Sequence, residues 1–500
     1  MKFQVISKSG VKGNDVLIVF VFEGEKRIAS GKWQELETQL AKVLDRHSKE
    51  GFSGKEQDYV KTHLDSQLFS GELVIVGLGK RDDFGIERQR RAVANAVSKL
   101  KGIKYKSAIV LLPDANEPIM LSGLAQAAVE GIVLASYRFN KYKTNGNNHK
   151  NIYLESVGIV ALTPAEEGKI RTGVSKGELY SRATCFARDL VNEPASVMTP
   201  RKLAEVAKSI SKRGISIKIF DEGQIKKMGM GGLLGVSIGS AEPPRFVHLT
   251  YKSPGAKKTV AIIGKAITFD SGGLCIKTGE GMLTMKDDMS GAAAVLGMFS
   301  VLAELKPKVN VHGIFAAAEN MPGGRAYKTG DILKAMNGKT MEIINTDAEG
   351  RLTLADALSY ASKLEPDEII DMATLTGACV VALGPDIAGI FSKSDRLTNK
   401  VVEASKFSGE PIWQMPLPDD YFEMIKSEVA DVKNAGQRWG GAITAALFLR
   451  EFVDSKIPWA HIDIAGPCFV AEEKPYQPYK LAGGTGVMVR TMLRYLEMQN

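Results

Sequence analysis

Carboxylate and lysine side chains concentrate in two short segments of this 500-residue chain. In the first segment, Lys265 and Asp270 follow the apolar run at 259–263, and Asp288 precedes the small residues at 290–294. The apolar run predicts a buried strand, so Lys265 and Asp270 are expected where that strand ends. Asp288 is expected at the start of a helix, where the helix dipole alone would also favour a carboxylate.

The second segment is NTDAEGRL at 345–352, which follows a strand predicted over Glu342–Asn345. Asp347 and Glu349 are two residues apart, and in an extended segment such side chains point the same way and can reach one point in space. Arg351 adds a permanently charged, planar donor beside them. An ion pair between Glu349 and Arg351, with no functional site, is the structural alternative for this segment.

Taken together, the two segments indicate a metal centre. Four carboxylates at the strand ends of one sheet would repel one another unless cations neutralised them, and two divalent ions could do so. Oxygen ligands with one amine suit Zn²⁺, Mn²⁺ or Co²⁺ better than Ca²⁺. Two such ions about 3.5 to 4 Å apart are a common device for hydrolysis, because they polarise a carbonyl group and activate water. The residues therefore predict a two-metal hydrolase.

The surrounding pattern predicts an α/β protein with a smaller N-terminal α/β domain over 1–162, a linking helix over 163–190 and a larger domain over 191–500. The larger domain is expected to be doubly wound with a mainly parallel central sheet, because strand and helix patterns alternate along it. Ligands of such sheets bind at the carboxyl ends of the strands. The polar, basic stretch 141–150 is expected to be a surface loop. In the larger domain, strands are predicted at 259–263, 309–315, 342–345, 368–372 and 461–465, and helices at 290–305, 353–364 and 442–453.

The composition excludes several classes of protein. A chain with 44% hydrophobic and 24% charged residues is typical of folded soluble proteins. The longest apolar run near the N-terminus, Val16–Phe22, is too short to span a membrane. The four cysteines form no C-x-x-C pair and the six histidines form no H-E-x-x-H motif, which argues against a disulfide framework and against zinc sites of those kinds. A reduced, cytoplasmic location is expected.

Three motifs resemble those of the leucyl aminopeptidase family, also called cytosol aminopeptidases. They are GKxxTFDSGG at 264–273, MKxDMxGAAAV at 285–295 and NTDAEGRL at 345–352. The similarity extends from ARDLVNEP at 187–194 to GTGV at 484–487, and it reaches the N-terminal domain only in general character. The resemblance implies a metal-dependent aminopeptidase with a macro-like N-terminal domain.

The resemblance also implies the metal ligands. Two divalent ions per subunit, zinc or manganese, would be bound by Lys265, Asp270, Asp288, Asp347 and Glu349. Asp270 and Glu349 would bridge the ions, Lys265 and Asp288 would complete the tightly held one, and Asp347 the more exchangeable one. A lysine can coordinate only as the neutral amine, so metal occupancy should weaken at low pH.

Two catalytic residues follow from the same resemblance. Lys277 would act as an electrophile that polarises the scissile carbonyl, and Arg351 would hold a bicarbonate ion that serves as general base. The two segments contain no histidine that could take that role, which fits a bicarbonate base. The family forms hexamers, so a homohexamer is expected.

The implied substrates are peptides with a free N-terminus, because the α-amino group can ligate one metal while the first carbonyl oxygen meets the other. By resemblance, Met285, Thr374, Gly377 and the loop from Ala465 to Cys468 would line a pocket that favours Leu or Met as the first residue. For Met285 and Cys468, a role as ordinary core residues is the alternative.

The chain departs from the family pattern at several positions. Ala266 replaces a frequent Gly, Thr278 replaces a frequent Pro, and Pro467–Cys468 alters the pocket loop. Asp287 adds a carboxylate next to the ligand motif, where it could shift metal preference toward Mn²⁺. The alternative is that Asp287 points outward and pairs with Lys286 or another surface cation.

A second role in DNA binding is the rival function. Residues 1–160 contain 24 basic and 18 acidic residues, so most of the net charge of +8 lies there. The candidate surface, here called the basic patch, comprises Arg88, Arg90, Arg91, Lys99, Lys101, Lys104 and Lys106. A solvated protein surface with no partner is the plainer explanation of the same residues.

Overall fold

The computed structural model describes residues 1–103, 105–114, 118–144, 152, 154–211 and 214–499. They form two compact units, one made of Met1–Arg182 with Glu472–Leu481 and the other of Ala183–Ala471 with Ala482–Asn500. The expected linking helix is continuous over Pro164–Asn192, and the boundary between the units falls inside it. Of the loop expected at 141–150, residues 145–150 lie outside the described residues, as does Lys104 of the basic patch.

The first unit contains a six-stranded sheet in the order β1-β6-β5-β2-β4-β3. All neighbours are parallel except β3 and β4, which are antiparallel. Alternate residues of β2 belong to two separate cores, because helices cover both faces of the sheet. Its strands are β1 (Lys2–Ile6), β2 (Val16–Val21), β3 (Tyr59–Asp65), β4 (Ser70–Gly77), β5 (Ser107–Val110) and β6 (Ser156–Val160). Its helices are α1 (Gln34–Lys49), α2 (Ile86–Ser98), α3 (Pro118–Ser136) and the first part of α4 (Pro164–Asn192).

The second unit is built on an eight-stranded sheet in the order β15-β14-β17-β13-β9-β10-β8-β7. The four central strands, β17, β13, β9 and β10, are mutually parallel, and antiparallel pairs flank them. The mainly parallel sheet expected from the sequence is therefore confirmed. The strands of this sheet are β7 (Ile215–Phe220), β8 (Arg245–Tyr251), β9 (Thr259–Asp270), β10 (Asn310–Asn320), β13 (Glu368–Ala373), β14 (Ala388–Ser392), β15 (Ile412–Gln414) and β17 (Trp459–Asp463).

Helices lie on both faces of this sheet. Ile263 shares a core with α10 (Gly350–Ser362) and α13 (Gly441–Arg450), whereas a Cβ on the next residue, Gly264, would lie 2.3 Å from the backbone of Gly291 at the start of α9 (Ser290–Leu305). Successive residues of a strand point to opposite faces, so α9 and α10 lie on opposite sides. The helices of this unit are the end of α4, then α5 (Pro200–Ile210), α6 (Glu222–Lys227), α7 (Gly231–Ser237), α8 (Gly279–Met282), α9 (Ser290–Leu305), α10 (Gly350–Ser362), α11 (Gly377–Leu383), α12 (Asp395–Ser408), α13 (Gly441–Arg450) and α14 (Val489–Glu497).

One predicted strand of the central sheet was wrong. The segment Glu342–Asn345 contributes only its first residue to a strand, β12 (Thr340–Glu342), which belongs to a separate three-stranded sheet with β11 (Ile332–Lys334) and β16 (Val432–Lys433). Beyond β12, the backbone N–H groups of Ile344 and Asn345 donate to the side chain of Asn434 at 2.7 and 3.2 Å, in place of a neighbouring strand. A further two-stranded sheet pairs β18 (Phe469–Val470) with β19 (Gly483–Gly484).

The stretch Gly279–Leu305 is apolar and long enough to cross a membrane on length and composition alone. However, 78% of its most apolar window is buried inside the protein. Burial of that extent is typical of a core helix.

Candidate active site

The carboxyl ends of the central strands bring the first cluster together. β9 ends at Asp270, β10 ends at Asn320, and Thr374 directly follows β13. The Asn320 amide donates to Asp270 Oδ1 at 2.8 Å, and the Thr374 hydroxyl donates to Asp288 Oδ1 at 2.7 Å. The site therefore lies at the edge of the sheet where doubly wound folds bind ligands.

Two lysines join the carboxylates of both sequence segments. Lys265 Nζ lies 2.7 Å from Asp288 Oδ1 and 2.9 Å from Glu349 Oε1. Its amine also donates to the backbone carbonyl of Thr374 at 2.9 Å, which holds it in place. Glu349 thus pairs with Lys265, so the structure does not show the predicted alternative of a simple Glu349–Arg351 ion pair.

The second lysine, Lys277, serves the other two carboxylates. Its Nζ lies 2.9 Å from Asp270 Oδ2 and 2.5 Å from Asp347 Oδ1. Burial lowers the pKa of Lys277, but the charges of Asp270 and Asp347 outweigh burial and raise it overall. Lys277 therefore remains protonated at neutral pH.

Burial also shifts the pKa values of Lys265 and of its two carboxylate partners, Asp288 and Glu349. Burial lowers the pKa of Lys265, yet Asp288, Glu349 and Asp270 raise it above its ordinary value. The pKa of Asp288 and that of Glu349 are raised, first by burial and then by the neighbouring carboxylates. The carboxylates therefore need nearby positive charge to remain ionised.

The donor set fits divalent cations. Carboxylate oxygens of Asp270, Asp347 and Glu349 all lie within 4.8 Å of one another. Asp288 Oδ2 is buried and has no hydrogen-bond partner among the described residues. A buried acceptor without a partner is costly unless a cation binds it. Converging carboxylates with an open acceptor are what a metal ion requires.

The loop that carries Asp347 and Glu349 depends on a residue that the sequence analysis missed. Asn434 is fully buried, and besides accepting the two N–H groups described above it donates to the Asn345 carbonyl at 2.7 Å. Glu349 has helical backbone angles just before α10, so the predicted extended geometry of the segment was wrong. No local pattern marks Asn434, whereas Asn320 could have been found from its place at a strand end.

Arg351 is held in the same region. Its guanidinium donates to the Asn434 carbonyl at 2.7 Å, and its Nε has no hydrogen-bond partner among the described residues. Burial lowers the pKa of Arg351 to about 10, with Glu349 and Asp463 opposing that shift, so Arg351 stays charged at neutral pH. A buried charged donor without a partner fits a small bound anion.

The predicted pocket residues lie on segments that follow the central strands. Thr374 is buried, Gly377 is exposed at the start of α11, and Ala465 is half-buried after β17. Asp463 joins the two segments, because it accepts from the Thr376 hydroxyl at 2.6 Å and from the Ala465 N–H at 3.1 Å. Met285 is half-buried in a single 3₁₀ turn at Met285–Asp287.

Asp287 does not point outward, so the predicted alternative of an exposed carboxylate paired with a surface cation was wrong. It is only 5% exposed. Burial raises its pKa to about 7, while Lys265 and a hydrogen bond from Thr284 act the other way. Burial and then the charge of Asp287 raise the pKa of the Cys468 thiol.

The basic patch carries less free positive charge than its sequence indicates. Arg90 has no exposed side-chain surface and pairs with Glu130 at 2.8 Å and with Glu87. Arg91 pairs with Glu87 at 2.8 Å. The expectation that Arg90 belongs to an exposed surface was therefore wrong, because two carboxylates neutralise it inside the unit.

Comparison with known sequences decides the family. The model of the cytosol aminopeptidase family, catalytic domain, matches residues 185–493, and the model of its N-terminal domain matches residues 18–146. The chain belongs to the cytosol aminopeptidase family. It is therefore a metal-dependent aminopeptidase, a hydrolase that acts on peptides and uses divalent metal.

Relatives and solved structures agree over nearly the full chain. The probable cytosol aminopeptidase of Aquifex aeolicus (strain VF5) is 46% identical over 489 residues, 97% of this chain and 95% of the relative. A variant of tomato leucine aminopeptidase superposes with a TM-score of 0.86 at 37% identity, covering 97% of this chain and 94% of that one. The bottromycin maturation enzyme BotP in complex with Mn superposes with a TM-score of 0.85 at 35% identity, covering 98% and 100%.

Proposed function

We propose that this cytosol aminopeptidase family member removes N-terminal Leu or Met residues from peptides by a two-metal mechanism. The observation that carries the proposal is the pairing of four carboxylates with only two lysines, at 2.5 to 2.9 Å, while Asp288 Oδ2 lacks a partner among the described residues. Two divalent ions would supply the missing positive charge.

The ligands are distributed between two ions in the proposal. Zinc or manganese would be held by Lys265, Asp270, Asp288 and Glu349 at one position, and by Asp270, Asp347 and Glu349 at the other. When bound, such a pair supplies Lewis-acid polarisation of the substrate carbonyl and activation of water. Lys265 would contribute its neutral amine, so its proton must leave when the first position fills.

Lys277 has a separate task. Metal binding to Asp270 and Asp347 would release the lysine from both carboxylates, because their oxygens would turn to the metal ions. The Lys277 side chain is partly exposed, so it can reach a bound substrate. A protonated amine there would stabilise the negative charge that develops on the scissile carbonyl oxygen.

Arg351 would hold a bicarbonate ion through its free Nε–H group. A bicarbonate at this position would supply a proton acceptor close to the carboxylate cluster. This assignment is supported by the buried charge of Arg351 and by the lack of an uncommitted histidine in either motif. Asn434 would keep the guanidinium in position through its carbonyl.

The substrate would be oriented by its free amine at the metal centre and by the pocket lined by Met285, Thr374, Gly377 and Ala465. Apolar pocket walls would favour Leu or Met. Internal peptide bonds have no amine to offer, so they would not be cleaved. By resemblance we also propose a cytoplasmic homohexamer, which light scattering would test.

The test combines metal content with a free-amine requirement. Chelation should abolish hydrolysis of leucine amide, and activity should return as two Mn²⁺ or Zn²⁺ ions bind per chain. N-acetyl-leucine amide should remain uncleaved. Full activity at one metal per chain, or equal turnover of the acetylated substrate, would contradict the mechanism.

The arginines of the basic patch, which would serve the DNA-binding alternative, already have acidic partners. Arg88 pairs with Asp83 at 3.2 Å, and Arg90 and Arg91 pair with Glu87. Phosphate contacts by these arginines would require breaking ion pairs that already exist. A gel-shift titration over a salt series would reveal phosphate contacts through a steep salt dependence.

A further inference from the structure

Thr374 supports two of the proposed metal ligands at once. Its hydroxyl donates to Asp288 Oδ1 at 2.7 Å, and its backbone carbonyl accepts from Lys265 Nζ at 2.9 Å. The hydroxyl thus occupies one oxygen of Asp288, while the other, Oδ2, has no partner among the described residues and can face a metal ion. The carbonyl takes an N–H group of the amine, so a neutral amine held there keeps its lone pair for the metal. Both contacts prepare the position completed by Lys265 and Asp288, here called the first position.

The second position, which Asp347 completes, lacks this support. Among the described residues, the Asp347 side chain contacts Lys277 and makes no hydrogen bond with Thr374. A perturbation of Thr374 should therefore act on the two positions unequally.

The segment 374–376, between β13 and α11, is held by Asp463 in place of a neighbouring strand. Asp463 is the last residue of β17. Its Oδ1 accepts from the Leu375 N–H at 3.3 Å, and its Oδ2 accepts from the Thr376 hydroxyl at 2.6 Å. These two residues directly follow Thr374, so Asp463 fixes the backbone that carries it.

Only a carboxylate satisfies the partners of Asp463, because all of them are donors. Asp463 is 1% exposed, and its Oδ1 also accepts from the Ala465 N–H at 3.1 Å. Three donors thereby compensate a buried charge. The Thr376 hydroxyl accepts from the Cys379 N–H at 3.1 Å, which leaves its own proton for Asp463. An amide at residue 463 would turn an NH₂ group toward one of these donors and could not satisfy them all.

We propose that Asp463 is a positioning residue that sets the metal affinity of the first position through Thr374 and leaves the second position unaffected. This inference rests on the proposed two-metal function. The effect is selective because the bonds of Asp463 fix Thr374, and those of Thr374 reach the ligands of one position only. A merely structural role for Asp463 would lower stability without distinguishing the two positions.

The test measures Mn²⁺ binding to variants of the full chain by calorimetry. Asp463→Asn should weaken one of the two bound ions by about tenfold to a hundredfold and leave the other within about twofold, because it perturbs a group that orients the ligands of one ion. Thr376→Val should weaken the same ion, whereas Thr376→Ser keeps the hydroxyl and should retain wild-type affinity. Asp371→Asn is the matched control, since Asp371 is an equally buried carboxylate whose partners are His461 at 2.6 Å and Trp459 at 2.7 Å. It should lower the melting temperature and leave both affinities unchanged.

Two further variants assign the weakened ion to a position. Asp347→Asn removes the ligand that only the second position uses, so the ion that remains reports on the first position. Adding Asp463→Asn should weaken that ion by the same factor as in the otherwise wild-type chain. Asp288→Asn leaves the second position intact, and adding Asp463→Asn there should not change its affinity.

The outcomes separate this inference from the function on which it rests. Unchanged affinities in Asp463→Asn, or an equal loss at both positions, would overturn the inference. If Asp463→Asn does not fold, Thr376→Val decides the question by the same criteria, with Thr376→Ser as its reference. A wild type that is fully active with one ion per chain would instead overturn the proposed function itself.

Discussion

Replacing Gly350 by Ala should displace the amine of Lys265 without removing or adding any charged group. A Cβ at residue 350 would lie 2.1 Å from Lys265 Cε and 2.7 Å from its Nζ. Ordinary van der Waals contact begins at about 3.4 Å, so the lysine chain must retreat by more than about 1 Å. Residue 350 is fixed in the backbone of α10, so the flexible side chain of Lys265 is the group that has to move.

The size of the effect follows from the contacts that Lys265 would lose. Its Nζ bonds Asp288, Glu349 and the Thr374 carbonyl at 2.7 to 2.9 Å, and a shift of 1 Å breaks that geometry. Perturbing the support of a metal ligand costs about tenfold to a hundredfold in metal affinity. A misplacement of about 1 Å in a catalytic group costs about a hundredfold in rate. We therefore expect both losses in Gly350→Ala.

The assay is a metal titration by calorimetry, followed by kcat/KM for leucine amide at saturating metal. Gly279→Ala is the matched control, since a Cβ there would meet nothing within 4 Å. Circular dichroism would establish that both variants are folded. If Gly350→Ala binds metal with wild-type affinity and has wild-type kcat/KM, then Lys265 does not hold a metal in the position that the structure shows, and the reasoning fails.

Three further predictions concern other parts of the site. Lys277→Ala should retain both metals but lower kcat by about 10²- to 10³-fold; loss of a metal with unchanged kcat per metallated site would show that Lys277 is a ligand. Asn434→Ala should lower thermal stability by about 1 to 3 kcal/mol for each backbone group left unpaired and reduce activity, whereas unchanged melting and kinetics would contradict its positioning role. Burial lowers the pKa of His461 but the bond to Asp371 at 2.6 Å raises it overall, so the pair should stabilise the folded protein most below pH ~6.5 and lose that effect as pH rises through the folded-state pKa. Thermal melts of wild type and His461→Gln should therefore differ more at low pH than at high pH, and an equal difference throughout would refute the assignment.

The parts of the site that follow a central strand could be predicted from the sequence. Asp270 is the last residue of β9, where the carboxyl-end rule places it, whereas the strand runs beyond its apolar start and Lys265 lies within it rather than at its end. Asp288 was expected before a helix and lies two residues before the first residue of α9. These positions depend on local pattern and general topology, both of which are visible in one sequence.

The remaining parts depend on long-range contacts that leave no local pattern. The apolar residues around Ile344 suggested a strand of the central sheet. Its backbone N–H instead donates to Asn434, which lies 90 residues further along the chain, and no pattern near Ile344 indicates that contact. The burial of Asp287 likewise depends on its tertiary surroundings, because its neighbours in sequence suggest an exposed charge. The segment Glu472–Leu481 belongs to the first unit although it is far from the rest of that unit in sequence, and its spacing along the chain does not reveal this.

The two lysine-centred ion clusters have a consequence for the life of the newly made protein. Lys265 and Lys277 are covalently attached counter-ions, so about half of the charge of the four carboxylates is neutralised before any metal arrives. A small zinc domain whose ligands have no such substitute stays unfolded without its ion. We expect this chain instead to fold first and to acquire metal afterwards by cation exchange, with Lys265 giving up a proton as it does so. Acidification should reverse the exchange and leave a folded, inactive and reloadable protein.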